Sequence, residues 1–182
     1  MSNAPRLYLG HGAAGSAASM RAHVEGLAQR GLDAVALDLP RGKAERAVPV
    51  FRTAAPPGAG VAVGGQSFGG RVASLCAAEG PYAALVLLSY PLHRPGTTDW
   101  EVRVAHWPRI TCPVLLLSGE SDPFARLSLL RDASGLLAHA ELVTYPKLGH
   151  RLAPVLDDVL DRVAQFLQGL PPHPPYPPHP LA

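Results

Sequence analysis

The stretch Val61-Ala62-Val63-Gly64-Gly65-Gln66-Ser67-Phe68-Gly69-Gly70 constrains the fold of this chain more than any other. A short apolar run ends in glycines, a serine follows, and small residues continue behind it, giving the pattern G-x-S-x-G at Gly65-Gln66-Ser67-Phe68-Gly69. Such a pattern implies a nucleophile elbow. A strand that turns so sharply into a helix strains the serine backbone and lifts its hydroxyl clear, so the flanking positions cannot carry large side chains. Gly65 and Gly69 meet that need. Alone, the same five residues also read as a glycine-rich turn with an incidental serine, and the rest of the chain has to decide between the two.

Short apolar runs recur on both sides of the elbow. Leu7-Tyr8-Leu9, Ala34-Val35-Ala36-Leu37, Leu85-Val86-Leu87-Leu88, Val114-Leu115-Leu116-Leu117 and Leu142-Val143-Thr144-Tyr145 have strand length, and their lack of alternation suits strands covered on both faces. Helical spacing lies between them. Met20, Val24, Leu27 and Ala28 form one stripe with Gly31 as its stop, and residues 43–54 form a second before the turn at Pro56-Pro57-Gly58. Behind Ser67, the spacing of Gly69, Gly70, Ala73 and Ala77 gives a helix face small enough to approach a sheet closely. The last stripe runs from Leu152 through Val155, Leu156, Val159, Leu160 and Val163 to Leu170, with Pro154 in its first turn. Strands separated by helices predict an α/β fold with a mostly parallel six-stranded sheet and helices on both faces.

With 182 residues and 47% apolar content, one domain over residues 1–170 is expected. The segment 171–182, Pro171-Pro172-His173-Pro174-Pro175-Tyr176-Pro177-Pro178-His179-Pro180-Leu181-Ala182, is a proline-rich tail expected to be disordered. The net charge of +2 comes from scattered arginines with no basic run, which argues against a nucleic-acid partner. Cys76 and Cys112 lack metal or disulfide spacing, and residues 1–6 carry no long apolar segment. A cytoplasmic protein with reduced thiols, no metal and no membrane partner is the expectation.

A serine nucleophile needs a histidine base, and the histidine needs an acid to fix its tautomer. Asp122 follows the Val114–Leu117 run in Ser118-Gly119-Glu120-Ser121-Asp122-Pro123, and His150 follows the Leu142–Tyr145 run in Lys147-Leu148-Gly149-His150. In a parallel sheet both lie at the edge that carries Ser67, in the chain order nucleophile, acid, histidine. Glu120 is the substitute acid. His139 precedes its strand, at the wrong end. For the oxyanion hole, the amide of Phe68 supplies one donor, and Ala13, with Gly12 as the alternative, supplies the second from the loop after the first strand. His11 in that loop is expected to shape it. Gln66, His93 and Arg94 are candidate substrate contacts. A competing reading uses Gly10-His11-Gly12-Ala13-Ala14-Gly15 as a G-x-G-x-x-G fingerprint with Asp38 as the ribose-binding acid, which implies a dinucleotide site but leaves Ser67, Asp122 and His150 unexplained.

Taken together, His11-Gly12-Ala13-Ala14-Gly15, Gly65-Gln66-Ser67-Phe68-Gly69-Gly70-Arg71, Ser89-Tyr90-Pro91-Leu92-His93, Ser118-Gly119-Glu120-Ser121-Asp122-Pro123 and Gly149-His150 resemble the small, capless α/β-hydrolases related to dienelactone hydrolase, over residues 6–169. The resemblance is closer to the testis-expressed and KANL-type hydrolase-like group, with Tyr90-Pro91-Leu92-His93 as its most specific mark. It implies a minimal α/β-hydrolase fold without a cap domain, a Ser67–Asp122–His150 triad, no cofactor, and a small-molecule acyl substrate. Dienelactone hydrolase itself uses a cysteine nucleophile, so with serine here the resemblance does not carry over its particular substrate. Some relatives are scaffold subunits, which keeps a non-catalytic interaction protein as the alternative. Neither the substrate nor the oligomeric state is legible from the residues.

Overall fold

A computed structural model of the chain describes residues 4–171. Six strands, β1 (Arg6–Gly10), β2 (Ala34–Leu37), β3 (Gly58–Gln66), β4 (Tyr82–Leu88), β5 (Val114–Gly119) and β6 (Ala140–Tyr145), form one sheet in the order β2-β1-β3-β4-β5-β6. Every pairing is parallel. Six α-helices connect or follow them: α1 (Arg21–Gln29), α2 (Ala44–Ala54), α3 (Phe68–Ala77), the single turn α4 (Glu101–Val104), α5 (Leu127–Ser134) and α6 (Leu156–Gln168). The proline-rich segment from residue 172 onward, expected to be disordered, lies outside the described residues.

The unalternating runs do what their composition requires. Leu85, Leu87, Val114 and Leu116 point into a core with residues of α2, α3 and α5, while Val86, Leu88, Leu115 and Leu117 point into a second core with α1 and α6. Each central strand is therefore buried on both faces. The α1 stripe ends where expected: Gly31 takes φ +77°, its amide bonds Ala28 O, and the Leu32 amide bonds Leu27 O, the double closure of a Schellman motif.

Two boundaries differ from expectation for local reasons. β3 begins at Gly58 rather than Val61, because Pro56-Pro57-Gly58 reads as a turn and the pairing with β4 shifts register between Gly58 and Ala62. Pro154 sits in a 3₁₀ turn over Ala153–Val155, and α6 starts after it. Residues 89–113, between β4 and β5, hold only α4 and a second 3₁₀ turn at Trp107–Arg109. No cap domain is inserted there.

Strand order decides where a site can form. After β1 the chain crosses one way to β2, and then returns past β1 to lay down β3 on its other side. The loops leaving β1 and β3 therefore diverge and open a crevice at the carboxyl edge of the sheet. Ser67 follows β3 at that crevice.

Candidate active site

Ser67 is the residue between β3 and α3, with φ 50° and ψ −113°, a left-handed conformation that costs a non-glycine residue about 1–3 kcal/mol. The ladder continues through it, since its amide bonds Leu88 O at 2.8 Å, and the turn is closed by glycines. A Cβ on Gly65 would stand 2.6 Å from Gly10 O, and one on Gly69 would run into the backbone of Gly10. Gly70 is similarly confined, with Gly65 O 2.8 Å from where its Cβ would be. The small face predicted for α3 is thus what lets the helix start directly against β1 and β3.

Ser67 Oγ–H donates to His150 Nε2 at 2.9 Å, and His150 Nδ1–H donates to Asp122 Oδ2 at 2.8 Å. The tautomer follows from the chain of bonds. The Asp122 side chain is fully buried, and its other oxygen accepts the Phe124 amide at 2.8 Å, so the carboxylate is fixed in orientation. The histidine loop is placed by a close approach of two strand ends: the Ser121 amide bonds Leu148 O at 2.8 Å, and a Cβ on Gly119 would collide with the carbonyls of Leu148 and Gly149. The Phe124 ring lies against the His150 imidazole with centroids 4.6 Å apart. Sequence reasoning did not single out Phe124; its position two residues past the acid is the only signal.

The remaining candidates separate clearly. Glu120, the substitute acid, accepts the Thr144 hydroxyl at 2.9 Å between β5 and β6, whereas His150 is bonded to Asp122. His139 is exposed at the amino end of β6, where its carbonyl accepts the Val114 amide. His11 shapes its loop as expected: Nδ1–H donates to Gly12 O at 2.7 Å and Nε2 accepts the Leu39 amide at 3.0 Å. His93, expected to contact substrate, is instead buried in the same kind of staple. Its Nδ1–H donates to Arg94 O at 2.8 Å and its Nε2 accepts the Arg126 amide at 2.9 Å, so both ring nitrogens are used on main chain. It ties the loop after β4 to the loop that carries Asp122 and Phe124. Arg94 is exposed, Gln66 is half-buried, and neither lines the cleft at Ser67.

That cleft has a volume of about 700 Å³, within the range of small-molecule sites. Ser67, Phe68, Ala13, Pro91 and Phe124 line one part, and Lys43, Glu45, Arg71 and Arg103 another. Phe68 opens α3, whose first amides have no intrahelical acceptor, and Ala13 faces the same space from the loop after β1. Gly12, the alternative donor, does not line the cleft, and its carbonyl accepts the Gly15 amide at 2.9 Å. The G-x-G-x-x-G pattern is likewise absorbed by the fold: a Cβ on Gly10 would stand 2.8 Å from Gly69 Cα, and Asp38 Oδ1 accepts the Ala17 amide at 2.7 Å. Burial pushes the thiols of Cys76 and Cys112 up, to about 12 and about 11, and both are unpaired inside the protein. Among the described residues, no group of three His, Cys, Asp or Glu side chains could hold a metal ion, and no helix is long and apolar enough to cross a membrane.

Residues 3–169 match the family model described as alpha/beta hydrolase domain. Among solved structures, the chain is similar to a monoacylglycerol lipase from Paleococcus ferrophilus at 15% identity, with TM-score 0.77 over 91% of this chain and 96% of that one. Est1E from Butyrivibrio proteoclasticus shares 18% identity, with TM-score 0.74 over 93% and 89%. A dienelactone hydrolase from Anabaena variabilis shares 22%, with TM-score 0.72 over 92% and 87%. No curated protein sequence matches the chain. At these identities the likeness to solved structures is one of fold.

Proposed function

Because the chain belongs to the alpha/beta hydrolase domain family, we propose that it is a serine hydrolase of esterase type, cleaving ester or thioester bonds through an acyl-enzyme on Ser67. The observation that carries this reading is the unbroken chain of hydrogen bonds from Asp122 through His150 to Ser67, at 2.8 and 2.9 Å. Neighbours named as a lipase and a dienelactone hydrolase share the fold and support the reaction class. Within the family, the Tyr90-Pro91-Leu92-His93 segment and the serine nucleophile group the chain with the small capless hydrolases of testis-expressed and KANL type, acting in the cytoplasm.

In the first half-reaction Ser67 Oγ attacks the acyl carbonyl as its proton passes to His150 Nε2, and Asp122 stabilises the imidazolium that forms. The carbonyl oxygen becomes an oxyanion. The amides of Phe68 and Ala13, with the positive end of α3 behind them, are the donors available to it. Collapse expels the alcohol or thiol, which takes the proton back from His150. Water then attacks the acyl-enzyme with His150 again as base, releasing the acid and restoring Ser67. Phe124 keeps one face of the imidazole out of water, which strengthens its bond to Asp122.

A fluorophosphonate activity probe tests this directly. Wild-type protein is expected to label at Ser67, and Ser67→Ala is expected not to. Failure of the folded wild type to label, with no turnover of short acyl esters, would transfer the protein to the non-catalytic scaffold reading. Saturable NAD(P) binding lost on Asp38→Ala would point to the dinucleotide reading.

A further inference from the structure

We infer that the cleft beside Ser67 selects acyl substrates carrying a second group that is an oxyanion, a carboxylate or a phosphate, held by Arg71 and Arg103. The inference rests on the hydrolase reading above and adds the substrate's charge to it. Of the four charged side chains lining the cleft, Lys43, Arg71 and Arg103 are cations and Glu45 is the single carboxylate. A cleft with that imbalance attracts anions.

Arg71 is placed by the elbow itself. Its amide bonds Ser67 O at 3.1 Å, so it stands one helical turn behind the nucleophile on the same face of α3. Its guanidinium is satisfied on one edge only. Nη2 reaches Glu45 at 3.0 Å, while Nε is buried and has no partner. The guanidinium as a whole lines the cleft, and its one ion pair, to Glu45, leaves it free to take a second acceptor there. Arg103 reaches the same cleft from α4, where its Nη1 donates to Pro91 O at 2.9 Å, and its own carbonyl accepts the Tyr90 hydroxyl at 2.7 Å. No ion pair to a carboxylate is made by Arg103 among the described residues. Burial, then the charge of Arg71, hold its guanidinium below the usual arginine range, with Arg94 adding to the repulsion and Asp99 opposing it. Two arginines thus line one space that contains the nucleophile, and the one carboxylate there, Glu45, is bonded to Arg71. Paired planar forks are the arrangement that recognises carboxylate and phosphate oxygens.

Arg71 has no role in the acyl-transfer steps, and Arg103 none beyond its bonds to the loop after β4. Their shared cleft with Ser67 makes them specificity determinants: they would hold the charged end of a substrate whose scissile carbonyl lies at the serine.

Two matched pairs of substrates test this. The first is mono-4-nitrophenyl glutarate against its methyl ester, which differ only in a carboxylate. The second is butyryl-coenzyme A against butyryl-N-acetylcysteamine, which share the thioester and differ in the phosphate-bearing part. In wild type, kcat/KM is expected to favour the charged member of at least one pair by roughly tenfold or more, the scale of a charge-assisted hydrogen bond. The pair that shows it identifies the anion. Arg71→Gln and Arg103→Gln should each reduce that preference severalfold, and added salt should reduce it in wild type. Equal or faster turnover of the neutral member in both pairs would overturn the inference and leave the hydrolase reading standing. If no ester or thioester is turned over, the hydrolase reading falls, and calorimetric titration of glutarate and of inorganic phosphate into Ser67→Ala decides the anion site: saturable binding weakened by Arg71→Gln supports it, and its absence overturns it.

Discussion

His150 is hydrogen-bonded through both ring nitrogens, to Asp122 and to Ser67, and under the proposed mechanism the two bonds have different consequences when cut. In that mechanism removing Ser67 or His150 breaks the same proton-transfer step, so Ser67→Ala and His150→Ala should each lower hydrolysis of a short 4-nitrophenyl ester by roughly 10⁴ or more, with little further loss in the double mutant. Full additivity in that cycle would show that the two do not act together. Asp122→Asn should keep the fold and lower kcat severely, because an amide can present its N–H to Nδ1 and impose the wrong tautomer. Glu120→Gln should lose far less, since Glu120 is bonded to Thr144 and not to the histidine. The reverse ranking of those two variants would reassign the acid. Ser67, Asp122 and His150 were legible in the sequence because each follows an unmistakable apolar strand run in a fixed chain order. His93 was not: a histidine whose two nitrogens both serve main-chain groups has the same sequence signature as one that faces substrate, and only the approach of the Asp122 loop distinguishes them. Arg71 was within reach of spacing arguments, four residues past Ser67 on a helix, but its unsatisfied Nε depends on packing that no spacing reveals.

At the scale of elements, the elbow depends on three segments meeting backbone to backbone: the end of β1, the end of β3 and the first turn of α3. Gly69→Ala would drive a methyl group into the Gly10 main chain, and backbone has no rotamer with which to yield. A loss of about 3 kcal/mol or more is expected, at or beyond the upper end of ordinary overpacking, read as a fall in the urea midpoint. Gly12→Ala is the internal control, since a Cβ there meets nothing within 4 Å and stability should change by less than about 1 kcal/mol. Equal losses at the two positions would mean that close approach is not what the elbow glycines provide. The glycine pattern announced this geometry, and the continuous runs announced the buried strands. The eight residues of α5 and the four of α4 carried no such signal, being too short for a stripe to repeat. The opening residues of β3 were hidden by prolines whose sequence reads as a turn immediately before pairing begins.

Over the whole molecule, the described structure holds two histidines outside the site, buried His106 and half-buried His23, in ways that oppose their charging, which couples folding to pH. His106 lies between α4 and the core, and its Nε2–H donates at 2.8 Å to Ser74 Oγ, whose own hydrogen goes to Arg71 O. Burial, followed by the charges of Arg71 and Arg109, pulls its pKa down from 6.5 to about 4. His23 on α1 is also held below the ordinary histidine value, by burial. A depressed folded-state pKa means that the unfolded chain takes up the proton first as pH falls. The stability contributed by neutral His106 is therefore complete above about pH 6.5 and is lost progressively as pH falls from there towards 4. The span corresponds to roughly 3 kcal/mol for His106 at most, with His23 adding in the same direction. Glu45 and Asp158, whose carboxyls are held below their ordinary values of 4.5 and 3.8, contribute a further loss in the same direction, but beginning lower in pH. The interval between pH 6.5 and 5 thus reports mainly on histidine. Chemical denaturation at steps across it should give a falling free energy of unfolding in wild type, and a shallower fall in His106→Gln, whose amide can still donate to Ser74 but takes up no proton. Equal slopes in the two proteins would remove His106 as the source, and stability that rises on acidification in this interval would contradict the sign of the coupling itself.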